Sequence, residues 1–149
     1  MIKHDFRVQA EWQGGRDAVG QLSSRHIQHQ FSIPDELEGK GVGTNPDELL
    51  VSAAASCITI SLAATLERAR VKFSNLTVNS TGTASFNEGF FKMEQIVHEP
   101  VISVKNESHK LDLERKIDRY VKIADKNCMV SNSVRNNVKL DIQPQIIVE

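Results

Sequence analysis

The feature that most constrains this chain is an uncharged run of 18 residues, 49–66, near the middle of the sequence. A helix start precedes the run, because Asn45 can cap a helix and Pro46 suits its first position. Asp47 and Glu48 then place negative charge at the positive end of the helix dipole, and Asn45 and Glu48 have the spacing of a capping box. A helix that is apolar on every side must be buried on every side, so the rest of the chain has to cover it.

The same run has the marginal length of a membrane span. It is rich in alanine, serine and threonine, which suit close packing of helices, and no aromatic belt flanks it. The sequence therefore favours a buried helix of a soluble protein over a membrane span. One chain of this length has few strands with which to enclose such a helix. We therefore expect a second copy to supply part of the cover in an obligate dimer.

Composition and charge describe an ordinary soluble protein, expected to fold as a single domain over residues 1–149. The chain is 40% hydrophobic and 25% charged, and its net charge of −1 comes from interspersed acidic and basic residues. This balance argues against nucleic acid or a membrane surface as a partner. The polar N-terminus lacks the apolar region of a signal peptide, which favours a cytoplasmic location.

Alternating apolar residues predict three strands before the central helix, over residues 2–13, 18–23 and 27–33. The turn Gly14-Gly15-Arg16-Asp17 would join the first two strands, so the opening is predicted to be an antiparallel meander. A loop rich in glycine, residues 34–44, leads into the helix. The helix is expected to end near residues 67–71.

The second half of the chain is predicted to contain two strands, a helix and a last strand. The strands cover residues 73–86 and 90–105, and the second is expected to be interrupted near Pro100. Ser108 is predicted to cap an amphipathic helix whose apolar stripe ends at Cys128. The final strand starts at residue 138. The order of elements predicts an α+β fold with helices laid on antiparallel sheet and a long buried central helix.

The two cysteines are the first candidates for chemistry, and the residues alone leave their role open. Cys57 lies about three turns into the central helix, where the helix dipole does little to lower the pKa of a thiol. Both cysteines lie on core-facing positions, so they are either inert core residues or a pair that helix packing brings within disulfide reach. A cytosolic pair would be transient and catalytic rather than structural.

A cation is needed near Cys57 for it to react as a thiolate, and Arg16 is the natural candidate. Of the two carboxylates at the helix start, Asp47 lies about 80° around the helix from Cys57, while Glu48 lies on the opposite side and is left for capping. A straight helix separates Asp47 from Cys57 by roughly 15 Å. An arginine that serves both therefore requires a bend or a mobile loop. None of the five histidines is assigned to catalysis, and no metal site is predicted.

Four segments together resemble the OsmC/Ohr family of thiol peroxidases. They are Gly14-Gly15-Arg16-Asp17, Gly43-Thr44-Asn45-Pro46-Asp47-Glu48-Leu49-Leu50, Ala54-Ala55-Ser56-Cys57 and Cys128-Met129-Val130-Ser131-Asn132. Their order and spacing match over residues 14–142. The resemblance implies an intertwined homodimer of α+β domains, in which each central helix is buried between the sheets of the two subunits.

The resemblance also implies a mechanism without a cofactor. Cys57 matches the peroxidatic cysteine, which attacks an organic hydroperoxide and becomes a sulfenic acid, and Cys128 matches the resolving cysteine, which condenses with it to a disulfide. A dithiol reductant, often a lipoylated protein in the family, restores both thiols. Arg16 matches the arginine of the Ohr branch, and Asp47 falls where the family has the glutamate that holds this arginine.

The sequence departs from the family pattern at several of these positions. Asp47 is one methylene shorter than the family glutamate, and Leu37 stands where the OsmC branch has its arginine. Met129 replaces the usual proline after the second cysteine, and Ile58 replaces the phenylalanine common after the first. A redox-sensing or ligand-binding protein with weak peroxidase turnover is therefore the alternative to an active peroxidase.

Overall fold

A computed structural model describes all residues, Met1–Glu149. It contains seven strands and four α-helices, and the chain divides into two compact units, Met1–Leu49 and Leu50–Glu149. The α+β class is confirmed, whereas the single domain over 1–149 stays a prediction. The strands are β1 (Val8–Glu11), β2 (Gly20–Ser24), β3 (Gln28–Phe31), β4 (Asn75–Asn87), β5 (Phe90–Val104), β6 (Lys139–Ile142) and β7 (Gln145–Val148), and the helices are α1 (Pro46–Arg68), α2 (Glu107–Glu114), α3 (Ile117–Lys126) and α4 (Met129–Val134).

The first unit contains the predicted antiparallel meander, in the order β1-β2-β3. The first strand is shorter than predicted, because its ladder begins at Val8 opposite Ser24, where β2 ends. Trp12 closes the following turn by donating from Nε1 to the Gly15 carbonyl at 2.9 Å. A 3-10 turn, Asp35–Leu37, lies in the loop that leads to α1.

The start of α1 forms as the sequence predicts. The Asn45 side chain accepts a hydrogen bond from the Glu48 N–H at 2.8 Å, and Pro46 is the first helical residue. The Glu48 carboxylate accepts a hydrogen bond from the Thr44 hydroxyl at 2.6 Å. Glu48 is therefore engaged at the helix start, but its carboxylate bonds to Thr44 and not to the Asn45 N–H as in a capping box.

Helix α1 is buried on one face, and not on every side as its composition led us to expect. Its buried residues form part of the core of the second unit. The other face is open, and Ile60 is 71% exposed on it. By length and composition alone, α1 is the one helix that could cross a membrane. The core helix of a soluble protein has the same properties. The buried residues of α1 are Ala54, Ile58, Ser61, Leu62, Thr65 and Leu66.

The second unit contains a mixed sheet built on the long hairpin β4–β5. Strands β6 and β7 both pair in parallel with β5, and β7 was absent from the sequence prediction. The predicted interruption at Pro100 was wrong, because β5 is continuous through it. Parallel pairing with β6 ends at His98, and pairing with β7 begins at Val101. Pro100 lies between the two, where neither strand requires a hydrogen bond from the N–H that proline lacks.

The predicted amphipathic helix is two helices, and Asn106 rather than Ser108 caps the first by accepting from the His109 N–H at 2.9 Å. The Lys116 N–H bonds to the Leu113 carbonyl only three residues back, which tightens the turn and separates α2 from α3. Cys128 is buried as predicted, but it lies just beyond α3 and caps α4.

Candidate functional site

Cys57 and Cys128 meet in the core of the second unit. Cys57 lies on α1, is half-buried, and packs against the apolar cluster that contains the fully buried Cys128. Both are free thiols. The Ser61 hydroxyl, one turn after Cys57, donates to the carbonyl of Ala124, one turn before Cys128, at 2.5 Å. This buried hydrogen bond fixes the distance between α1 and α3 next to the two cysteines.

The Cys128 thiol is held in its protonated form. Burial raises the pKa of the thiol, and the neighbouring Cys57 side chain raises it further through hydrogen bonding and charge. Ser131 acts in the opposite direction through its side chain and its N–H, which donates to Cys128 Sγ at 3.4 Å, but the pKa remains raised. Cys128 is therefore poorly suited to be the attacking thiolate and well suited to donate a proton later.

Arg16 and Asp47 both lie in the first unit, but they do not form an ion pair there. The Arg16 guanidinium donates to the backbone carbonyls of Leu37 and Glu38, with a distance of 3.0 Å to Glu38. Asp47 is exposed and has no hydrogen-bond partner. Arg16 thus lies beside Leu37 in the loop that leads to α1. The contact between Arg16 and Asp47 stays a prediction.

The segment that carries Cys128 is closed by a second arginine, which sequence reasoning missed. Arg135 donates from Nη1 to Asp125 Oδ2 at 2.8 Å, and from Nη2 to the Asp125 carbonyl at 3.2 Å and to Asn132 Oδ1 at 3.0 Å. The Cys128 N–H bonds to the same Asp125 carbonyl at 3.2 Å. We call Asp125, Asn132 and Arg135 the Arg135 clamp.

A match over most of the chain places this arrangement in a family. The family model described as OsmC-like protein matches residues 38–143, which include both cysteines and the Arg135 clamp. The chain belongs to the OsmC-like family. Three of the four segments that carried the resemblance lie within the matched residues, and the first, Gly14-Gly15-Arg16-Asp17, is the turn between β1 and β2. The predicted membership is confirmed.

Relatives of this OsmC-like protein cover nearly its whole length. YmaD of Bacillus subtilis strain 168, whose function is uncharacterized, is 35% identical over 98% of this chain and 97% of its own. An organic hydroperoxide resistance protein OsmC from Legionella pneumophila has a similar structure, with a TM-score of 0.75, 21% identity and coverage of 96% and 99% of the two chains. OhrB of Bacillus subtilis, an organic hydroperoxide resistance protein, has a TM-score of 0.67 at 20% identity, covering 94% and 98%. Both solved structures therefore share the fold of this chain.

His98 is a buried polar residue of this OsmC-like protein that received no role from the sequence. It is 1% exposed, its Nδ1 lies 2.6 Å from the Ser80 hydroxyl, and its Nε2 has no hydrogen-bond partner. Asp125 Oδ1 is likewise buried and without a partner. The sequence does contain a signal for the burial of His98. Side chains alternate between the two faces of a strand, and His98 lies on the same face of β5 as Ile96 and Ile102, which are both fully buried.

The buried imidazole makes stability depend on pH. Burial lowers the pKa of His98, and the Asp125 carboxylate acts in the opposite direction. As the pH falls, the unfolded chain therefore takes up a proton at this histidine before the folded protein does, near the ordinary imidazole pKa of about 6.5. We expect the free energy of unfolding to fall as the pH decreases below about 6.5, and we expect His98→Asn to reduce that fall.

Urea unfolding at several pH values measures this dependence. His29→Asn is the matched control, since His29 is exposed and its Nδ1 contacts only the Gln30 carbonyl at 3.1 Å. An equal pH dependence in the His98→Asn variant and in the unsubstituted protein would contradict the assignment.

Proposed function

We propose that this protein is a cysteine-based thiol peroxidase that reduces organic and fatty-acid hydroperoxides to alcohols. The observation that carries the proposal is the meeting of Cys57 and Cys128, which are far apart in sequence, as free thiols in one buried cluster. Membership in a family that includes organic hydroperoxide resistance proteins supports the same chemistry.

In the first step, the Cys57 thiolate attacks the terminal oxygen of the hydroperoxide. The new S–O bond forms as the O–O bond breaks, and the leaving alkoxide takes up a proton to become the alcohol. Cys57 is left as a sulfenic acid, oxidised by two electrons. The apolar surroundings of Cys57 suit a substrate with an apolar chain, because such a chain loses nothing by leaving water.

In the second step, Cys128 condenses with the oxidised Cys57. The S–S bond forms, the sulfenic hydroxyl leaves, and the proton of the Cys128 thiol completes a molecule of water. The raised pKa of Cys128 supports this order, since the thiol is still protonated when the first step ends. An external dithiol then attacks the disulfide through a mixed disulfide, returns both cysteines to thiols, and is itself oxidised. A lipoylated protein is the reductant class that fits this role.

Arg16 is proposed to stabilise the Cys57 thiolate, and Asp47 to hold Arg16 in place. Arg16 now donates to two loop carbonyls, so this role requires it to exchange those neutral acceptors for charged ones. Hydrogen bonds between charged partners are the stronger kind, which favours the exchange.

A homodimer is proposed to cover the open face of α1. Ile60 is 71% exposed on that face, and the small residues Ser52, Ala53 and Ser56 beside it leave room for a close neighbour. No cofactor, nucleic acid or membrane enters the proposal, and the reducing cytoplasm is the compartment that suits a transient disulfide. A monomer by light scattering at micromolar concentration would argue against the dimer.

One observation favours a second function, redox sensing or ligand binding with weak turnover. Asp47 has no partner and Arg16 is bound to carbonyls, so the thiolate would lack its cation if this arrangement persisted. Such a protein would form its disulfide with an oxidant and cycle poorly with any dithiol.

Peroxide consumption by the purified protein separates the two functions. We expect steady turnover of tert-butyl and lipid hydroperoxides with dihydrolipoamide, and slower turnover of hydrogen peroxide, which has no apolar group. Thioredoxin in place of dihydrolipoamide tests the reductant class. Disulfide formation without turnover, with every hydroperoxide and reductant, would reject the peroxidase and favour the sensor.

A further inference from the structure

The turn that presents Cys128 is held by the Arg135 clamp and not by helix structure alone. Helix α3 ends at Lys126 and α4 begins at Met129, so Cys128 lies in the short connection between them. Helix α4 has only six residues, and a helix of fewer than two turns is a weak support by itself. The position of Cys128 therefore depends on the contacts that join the two ends of this segment.

Arg135 makes those contacts from one guanidinium. It donates to the carboxylate and the carbonyl of Asp125 and to the side chain of Asn132, which in turn donates to the Lys126 carbonyl at 2.9 Å. The Asp125 carbonyl also accepts the Cys128 N–H. The Arg135 guanidinium and the Cys128 N–H thus donate to the same carbonyl, on the side of the turn where α3 ends.

Arg135 is also the sole partner of the Asp125 carboxylate. The second oxygen of that carboxylate, Oδ1, is buried without a hydrogen bond, and His98 Nε2 is the other buried atom left unpaired. The ion pair itself is partly exposed, with 38% of the Arg135 side chain and 25% of the Asp125 side chain accessible. Ion pairs in such partly exposed positions contribute little to the free energy of unfolding. The more important effect of this pair is therefore to hold the turn between Asp125 and Arg135 in one conformation.

Disulfide formation is sensitive to that geometry. The two Cα atoms have to lie about 4.4–6.8 Å apart with their side chains directed at each other, and a misplaced partner is not bridged without backbone movement. We propose that Arg135 is a positioning residue for Cys128, which holds the turn from Asp125 to Arg135 so that the Cys128 thiol condenses with oxidised Cys57. This inference rests on the proposed function.

The test compares Arg135→Gln with the conservative Arg135→Lys and with a matched control, Arg115→Gln, on an exposed arginine between α2 and α3. After one equivalent of tert-butyl hydroperoxide, we expect Cys57 to be oxidised at an unchanged rate in all variants. Disulfide formation should slow about tenfold in Arg135→Gln, less in Arg135→Lys, and not in Arg115→Gln. The sulfenic acid that accumulates is trapped with dimedone and quantified by mass spectrometry.

A double-mutant cycle with Asp125→Asn shows whether the clamp acts as a unit. The double variant should be no slower than the slower single variant, because either substitution already opens the turn. Additive slowing, or an unchanged rate of disulfide formation in Arg135→Gln, would overturn the positioning role.

A glutathione titration gives a readout that does not depend on peroxide. Opening the turn should lower the equilibrium constant for the Cys57–Cys128 disulfide about tenfold, which is about 30 mV in reduction potential. Failure of the unsubstituted protein to react with hydroperoxide would reject the proposed function, while the titration still decides the role of Arg135. An equilibrium constant that is equal in Arg135→Gln and in the unsubstituted protein would overturn the positioning role of Arg135.

Discussion

Substitution of Cys57 by serine is expected to abolish peroxide consumption with dihydrolipoamide, lowering the rate by on the order of 10³ or more. Serine has nearly the same size as cysteine, so the half-buried site on α1 keeps its packing. A serine hydroxyl is a much weaker nucleophile than a thiolate at neutral pH, so it does not replace Cys57 in the reaction. The rate of loss of tert-butyl hydroperoxide measures the effect.

Ser108→Ala, on α2, is the control for Cys57→Ser. Ser108 is exposed and lies outside α1 and outside the apolar cluster around the cysteines. Its substitution should leave turnover within about twofold of the original, as surface changes usually do. Turnover by Cys57→Ser at the rate of the unsubstituted protein would show that Cys57 does not take part in the reaction.

Substitution of Cys128 by serine should slow turnover with dihydrolipoamide about tenfold or more and should damage the enzyme during the assay. The Cys57 sulfenic acid then has no neighbouring thiol, so a second hydroperoxide oxidises it to a sulfinic acid that dithiols do not reduce. Serine is also a good helix cap, so it can accept the Ser131 N–H that Cys128 accepts now.

The measurement for Cys128→Ser is the mass of the Cys57 peptide after repeated turnover. We expect the sulfinic form to accumulate in the variant and to be scarce in the unsubstituted protein. Equal turnover in both proteins, with no sulfinic acid in either, would show that Cys128 does not resolve the intermediate.

Local signals in the sequence predicted the elements that depend on neighbours along the chain. Asn45 and Pro46 start α1 by capping and backbone geometry, which are local effects, and the meander of the first unit follows from a two-residue alternation. The pairing of β6 and β7 with β5 is parallel and joins distant segments, so no local pattern predicts it.

The candidate site was predictable only in part. Both cysteines lie at core-facing positions that the apolar periodicity indicates, and family resemblance named them as a pair. The end of α3 before Cys128 has no glycine or proline to announce it, so the role of Cys128 as a cap was missed. Arg135 and Asp125 lie ten residues apart, beyond the spacing of helix side-chain pairs, and only the fold brings them together.

The burial of α1 shows a limit of composition as a guide. An uncharged helix was expected to be covered on every side, and one face is covered within the chain. Composition indicates that a surface requires cover, but it does not say whether the same chain or another supplies it. The fold of one chain therefore does not explain why the exposed face of α1 around Ile60 is free of charged residues.

Peptide mapping after one equivalent of tert-butyl hydroperoxide tests the central claim most directly. The unsubstituted protein, digested without reductant, should yield a peptide pair joined by a disulfide between Cys57 and Cys128, and dihydrolipoamide should return both peptides to free thiols. A sulfinic or sulfonic acid at Cys57 together with an unmodified Cys128, or no oxidation at either cysteine, would contradict the account.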